Sequence, residues 1–218
     1  MILKRFLPCA AAVVILAGCS STAPQYYSLQ SVPTNPAGTP GKIESAYAIS
    51  VQPVVIPQQI ARPQIVVSTT PNAEVVPLSA ALWAGPLESQ IRNTLADALS
   101  RRLNVMDVGQ SGAAEGLPVW RIYVDVQRFD SIYGEAVQQE IVWRMVPQGM
   151  PKTTKERVCS ATVRLPVGTG MSALVQGHRD ALEKLSAVIA QEIPQRGNAP
   201  AGQPTTSSSG VHFRGCVG

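Results

Sequence analysis

The sequence predicts an α+β fold, an antiparallel-rich sheet with two amphipathic helices packed on one face, and three observations carry that prediction. The first is a set of alternating runs in the middle of the chain. Trp120, Ile122, Val124 and Val126 oppose Arg121, Tyr123, Asp125 and Gln127. Val137, Ile141, Trp143 and Met145 oppose Gln138, Glu140 and Arg144, and Cys159, Ala161, Val163 and Leu165 oppose Ser160, Thr162 and Arg164. A period of two reads as a strand with one buried and one wetted face, so three successive antiparallel strands are expected. The second observation is a period of three to four in Leu87, Ile91, Leu95, Ala98, Leu99 and Leu103, which predicts a helix over Pro86 to Arg102. Pro86 suits its first turn, where the missing amide donor has no partner to lose. The third is the same period in Met171, Leu174, Val175, His178, Leu182, Leu185, Val188 and Ile189, a helix over Gly170 to Ile193 that stops before Pro194. With 218 residues, 45% hydrophobic and 15% charged, the chain supports one ordinary domain with flanking segments.

The remaining elements follow in order. Tyr26-Tyr27-Ser28-Leu29 is β-prone and reads as a first strand, and Ser31 to Gly41, dense in proline and glycine, as a loop. Ala48 to Gln52 alternates as a strand. Pro53 and Pro57 bracket Val54-Val55-Ile56, where a central strand could not give up two amide donors, so a bend or an edge is expected. Gln64 to Ser68 and Glu74 to Pro77 read as a hairpin, Val105 to Val108 as a brief strand, and Gly168-Thr169-Gly170 as a strand-to-helix turn. Residues 194–218 read as a polar disordered tail, although Val211-His212-Phe213 has the character to dock back.

The amino terminus sets the compartment. Lys4 and Arg5 precede an apolar stretch from Phe6 to Leu16, followed by Leu16-Ala17-Gly18-Cys19, which looks like the bacterial lipobox. Such a stretch spans only about half of a bilayer core, so it reads as a secretion signal and not as a permanent membrane span. Residues 1–18 are then a cleaved signal peptide, with cleavage between Gly18 and Cys19. Residues 19–25 form a lipidated tether, and 26–193 the domain. Cys19 would carry diacylglyceryl and N-acyl (palmitate-type) chains, and two or more chains anchor stably where one is marginal. Ser20 in place of Asp favours the periplasmic face of the outer membrane by resemblance to lipoprotein sorting.

Several function classes recede. Removing Lys4 and Arg5 from the 18 basic side chains leaves a near balance with the 14 acidic ones, so nucleic acid is not implied. There is no G-x-S-x-G elbow, H-E-x-x-H, phosphate-binding loop or G-x-G-x-x-G, and the two histidines lack a visible catalytic partner, so no enzyme activity is expected. His178 falls in helical register with core leucines and reads as a packing residue. No metal-ligand spacing is present and no cofactor is expected beyond the lipid on Cys19. Cys159 and Cys216 remain in the mature chain; in an oxidising periplasm they can pair, or stay two independent thiols.

Trp83-Ala84-x-Pro86-Leu87 before a helix, Pro53-x-x-Ile56-Pro57, Arg62-Pro63-Gln64-Ile65-Val66, and a lipobox followed closely by Tyr26-Tyr27-x-Leu29 stand together in one order. That arrangement resembles the PqiC (YmbA) family of ABC-type transport auxiliary lipoproteins from about Cys19 to Ile193. The resemblance implies a docking subunit for a PqiB-like MCE-domain protein that carries lipid between membranes and supports membrane integrity, with a PqiA-like inner-membrane protein alongside. It also implies ring-like homo-oligomers. Tyr26, Tyr27, Arg62 and an exposed Trp83 are the candidate partner-binding residues, since aromatic and arginine side chains anchor interfaces. A structural lipoprotein for another envelope complex, or less readily a periplasmic hydrolase, is the rival reading.

Overall fold

The three alternating runs form the longest strands of the computed structural model, which describes residues 23–30, 46–68, 74–112, 114–193 and 210–218. In chain order the elements are β1 (Gln25–Tyr27), β2 (Ala48–Val51), a 3-10 turn (Gln58–Ile60), β3 (Gln64–Ser68), β4 (Val75–Trp83), α1 (Leu87–Leu103), β5 (Val119–Ile132), β6 (Ala136–Gln148), β7 (Arg157–Pro166), α2 (Met171–Glu192) and β8 (Val211–Val217). All eight strands belong to one sheet of order β1-β4-β3-β5-β6-β7-β8, with β2 pairing β5 off that path. The pairs β3–β4, β5–β6, β6–β7 and β7–β8 are antiparallel. The pairs β1–β4, β2–β5 and β3–β5 are parallel, so the sheet is mixed though mostly antiparallel.

Local chemistry explains the boundaries. Gly134, at φ 71°, lets β5 turn into β6 in a conformation that a side chain with a Cβ would strain. A register shift between Val126 and Arg128 marks a bulge in β5. Asn104 closes α1 in the left-handed region at φ 51°. The bend expected between Pro53 and Pro57 is present as a single bridge from Val55 to Asp125, with Val54 buried beneath it.

α1 packs against α2 and against β2, and α2 lies along β6 and β7. The core joins the buried alternating set of β5 to β7 with Leu87, Ile91, Leu95 and Leu99 of α1 and Leu174, Leu182, Leu185 and Ile189 of α2. Among the described residues no helix is long and apolar enough to cross a membrane.

Three expectations need correction. Val105 to Val108 does not form a strand; only Asp107 bridges Ile49. The Asp107 carboxylate takes over the pairing: its Oδ1 accepts from the Val51 amide at 3.0 Å, and its Oδ2 pairs with Arg92. The disordered tail is corrected at its far end, where Val211–Val217 is a strand; residues 194–209 lie outside the described residues. Trp83, expected to be exposed, is buried at 5% exposure at the end of β4, edge-on to Phe129 with ring centroids 6.3 Å apart.

Candidate functional site

Trp83 is therefore a core residue, because β4 runs on into the helix entry and turns that side chain inward. The other candidates lie around it. Tyr26 pairs with Leu82 and is 65% exposed, whereas Tyr27, opposite Trp83, is half-buried and donates its hydroxyl to Gln25 Oε1 at 2.6 Å. Arg62 is exposed just before β3, and the neighbouring Pro63 carbonyl accepts from the Trp83 amide at 2.7 Å. Tyr26 and Arg62 thus remain available at one margin of the sheet. Gly18 and Cys19 lie outside the described residues.

At the opposite edge Cys159 and Cys216, directly paired across β7 and β8, are joined in a disulfide. Glu192, buried at the end of α2, places Oε2 3.5 Å from Cys216 Sγ and is held by Arg157 Nη1 at 2.7 Å. These three donors lie close enough to share a metal ion, but sulfurs bonded to each other have no thiolate to offer one. Trp143, the cross-strand neighbour of Cys159, contacts Phe213 of β8 at 6.0 Å between centroids.

His178 is the most chemically suggestive group, and sequence reasoning missed its partners. Its ring, fully buried, stacks on Phe129 at 3.9 Å; Nε2 lies 2.8 Å from Ser131 Oγ, and Nδ1 3.0 Å from Gln139 Nε2. Gln139 Nε2 also donates to the His178 carbonyl at 3.1 Å, which fixes it as the nitrogen end of the amide. Nδ1 must then accept, and Nε2 carries the proton and donates it to Ser131. A ring in that tautomer cannot take a proton from Ser131 at Nε2. Burial lowers the His178 pKa from 6.5 to about 3, so the ring is neutral at physiological pH. The triad-like grouping is a buried polar clamp between α2, β5 and β6.

An open groove of about 610 Å³ lies at the far end of the sheet, lined by Ser50, Gln52, Gln110, Glu115, Arg121 and Gln148 among others. Ser50 donates its hydroxyl to the Gly109 carbonyl at 2.5 Å and accepts from Gln52 Nε2 at 2.6 Å. No histidine or cysteine is among the residues that line the groove; its charged groups are the Glu115 carboxylate and the Arg121 guanidinium.

The described residues thus form a mixed, mostly antiparallel sheet with two helices. The model of one family, the ABC-type transport auxiliary lipoprotein component, matches residues 27–190. The chain belongs to that family, as the motif order in the sequence implies. No curated protein matches the chain. A crystal structure titled only as an uncharacterized protein is similar at 23% identity and TM-score 0.57, covering 79% of this chain and 99% of its own. The DUF330 protein XCC0632 from Xanthomonas campestris is similar at 20% identity and TM-score 0.52, covering 66% of this chain and 81% of its own. At those identities the two structures establish the fold. β8 lies beyond the family match, which ends at residue 190.

Proposed function

We propose that the protein is an outer-membrane-anchored periplasmic lipoprotein that serves as the docking subunit of a PqiB-like MCE-domain lipid carrier, with a PqiA-like inner-membrane protein in the same system. The observation that carries the reading is family membership across residues 27–190, joined to a lipobox ending at Cys19. An auxiliary subunit of a transport system needs a tether and surfaces, and a packed domain with a short leader supplies both. Cys19 bears the lipid. Both helices occupy one face of the sheet in this reading, and Tyr26, Tyr27 and Arg62 offer the carrier an aromatic and cationic margin. Ring-like self-association would present that margin repeatedly to a tubular partner.

Photo-cross-linking in cells tests the docking. A photoreactive residue in place of Tyr26 or Arg62 should give an adduct with an MCE-domain protein, while one at Gln148, in the far groove, should not. Adducts only with an unrelated envelope protein would contradict the reading.

A further inference from the structure

The direction of β1 says which end of the domain faces its anchor. β1 is parallel to β4, with Gln25 opposite Ala81, so the chain enters β1 from the side where β4 begins. Cys19 stands six residues before Gln25, and Val75 six residues before Gln25's partner Ala81. A six-residue tether reaches about 20 Å at ~3.4 Å per residue, about the length of β4 from Ala81 back to Val75. The lipid on Cys19 is therefore in reach of the end of the sheet where β4 starts.

Among the described residues, that end exposes apolar side chains on both faces of the sheet. Val75 pairs with Ser68, Ser68 bridges Ile132, and the Tyr133 amide donates to the Ser68 carbonyl at 3.0 Å. One row across three strands thus brings the start of β4 and the end of β3 beside the turn that leaves β5. Val75 is 56% exposed, Val76 46% and Tyr133 46%, all three among the exposed large apolar side chains of the described residues. Around them stand the ion pairs Arg164–Glu135 at 2.7 Å and Arg128–Asp130 at 3.3 Å. Exposed valines at a sheet end, with ion pairs on the neighbouring strands and turn and a tyrosine on that turn, match the boundary between acyl chains and headgroups, where tyrosine concentrates and arginine reaches outward.

We propose that the end of the domain formed by Val75, Val76 and Tyr133 rests on the lipid surface that holds Cys19. The inference depends on Cys19 being the anchor. The domain then stands with its strands rising from the membrane and the groove around Arg121 and Gln148 pointing away from it, because Gln148 pairs with Val119 at the other end of β5.

The test places single tryptophans in the mature chain, coupled through Cys19 to a maleimide lipid in vesicles of phosphatidylethanolamine and phosphatidylglycerol. The disulfide keeps Cys159 and Cys216 out of the coupling. The native Trp83, Trp120 and Trp143 are buried and give a constant background. Seated about 5–10 Å into the headgroup boundary, indoles at Val75→Trp and Tyr133→Trp should lose about half of their added emission to brominated lipids. Gln148→Trp should lose none. Quenching at Gln148→Trp, or at no position, would overturn the proposal. So would a blue shift at Val75→Trp that grows with protein concentration without vesicles, which would give the patch to a second copy. Intact mass of the chain from native membranes reports separately on the anchor: an unmodified Cys19 defeats the anchoring reading, whereas quenching on coupled vesicles judges the orientation alone.

Discussion

His178 shows how one side chain couples folding to pH. Its pKa is about 3 in the folded protein and 6.5 in the unfolded chain, so between those values the unfolded state binds more protons. The stability that the neutral ring contributes is present above pH 6.5 and is lost as pH falls from there toward 3. Between pH 7 and pH 5 the loss should be about 2 kcal/mol. Urea unfolding at the two pH values should show it in the native chain and not in His178→Gln, once the common background is subtracted. Trp83→Ala should cost about 3–5 kcal/mol, as for other buried aromatics, read as a large fall in Tm. A Tm near the native value would return Trp83 to the surface. The helical register of His178 was legible in the sequence, but Ser131 and Gln139 reach it from β5 and β6, and no local pattern reports a contact across that separation. Trp83 misled because its setting beside Ala84, Gly85 and Pro86 resembles a loop, whereas β4 continues to it and buries it.

Among the elements, the helices and the β5–β6–β7 meander were the most legible, since buried faces on regular elements leave their period in the sequence. α1 spans Leu87–Leu103 and α2 Met171–Glu192, each within a residue of the expected ends. Packing inside α2 was not legible. A Cβ at Gly177 would stand 2.3 Å from Val167 Cγ1 and 3.3 Å from Val137 Cγ2, so α2 approaches the sheet through a missing side chain. Gly177→Ala should therefore destabilise, although alanine is the better helix former by about 1 kcal/mol; a raised Tm would show that the valines yield. β8 was legible only as the Val211-His212-Phe213 run able to dock back, because a short strand after a proline, glycine and serine-rich stretch has little pattern of its own. Gly210, just before β8, is seated so closely that a Cβ would meet the Arg164 carbonyl oxygen at 2.4 Å. The Cys159–Cys216 disulfide closes a separation of 57 residues, for which the chain-entropy model gives about 4 kcal/mol. Cys159→Ser with Cys216→Ser should lower stability on that order and open the carboxy terminus to limited proteolysis. Unchanged cleavage would mean that the pairing of β8 with β7 and the Arg214–Glu140 ion pair hold the strand without the bond.

For the whole molecule, strand order was the least legible property. The parallel pairings of β1 with β4 and of β2 with β5 join segments far apart in sequence, and alternation tells which face a residue takes, not which strand lies beside it. The motif order, by contrast, was enough to reach the family that residues 27–190 match. It combines turn prolines at Pro53, Pro57 and Pro63 with the helix entry at Pro86, positions where backbone geometry leaves few alternatives. The site was legible only in outline: Tyr26 and Arg62 are exposed, Trp83 is not, and the clamp around His178 arises from tertiary contacts. The central claim is that this tethered domain docks a lipid carrier. The most direct measurement is affinity purification of the lipidated protein from gently solubilised membranes, with a tag placed within residues 197–208 and the captured proteins identified by mass spectrometry. The account predicts recovery of an MCE-domain protein; a clean preparation that brings down a different envelope complex would contradict it.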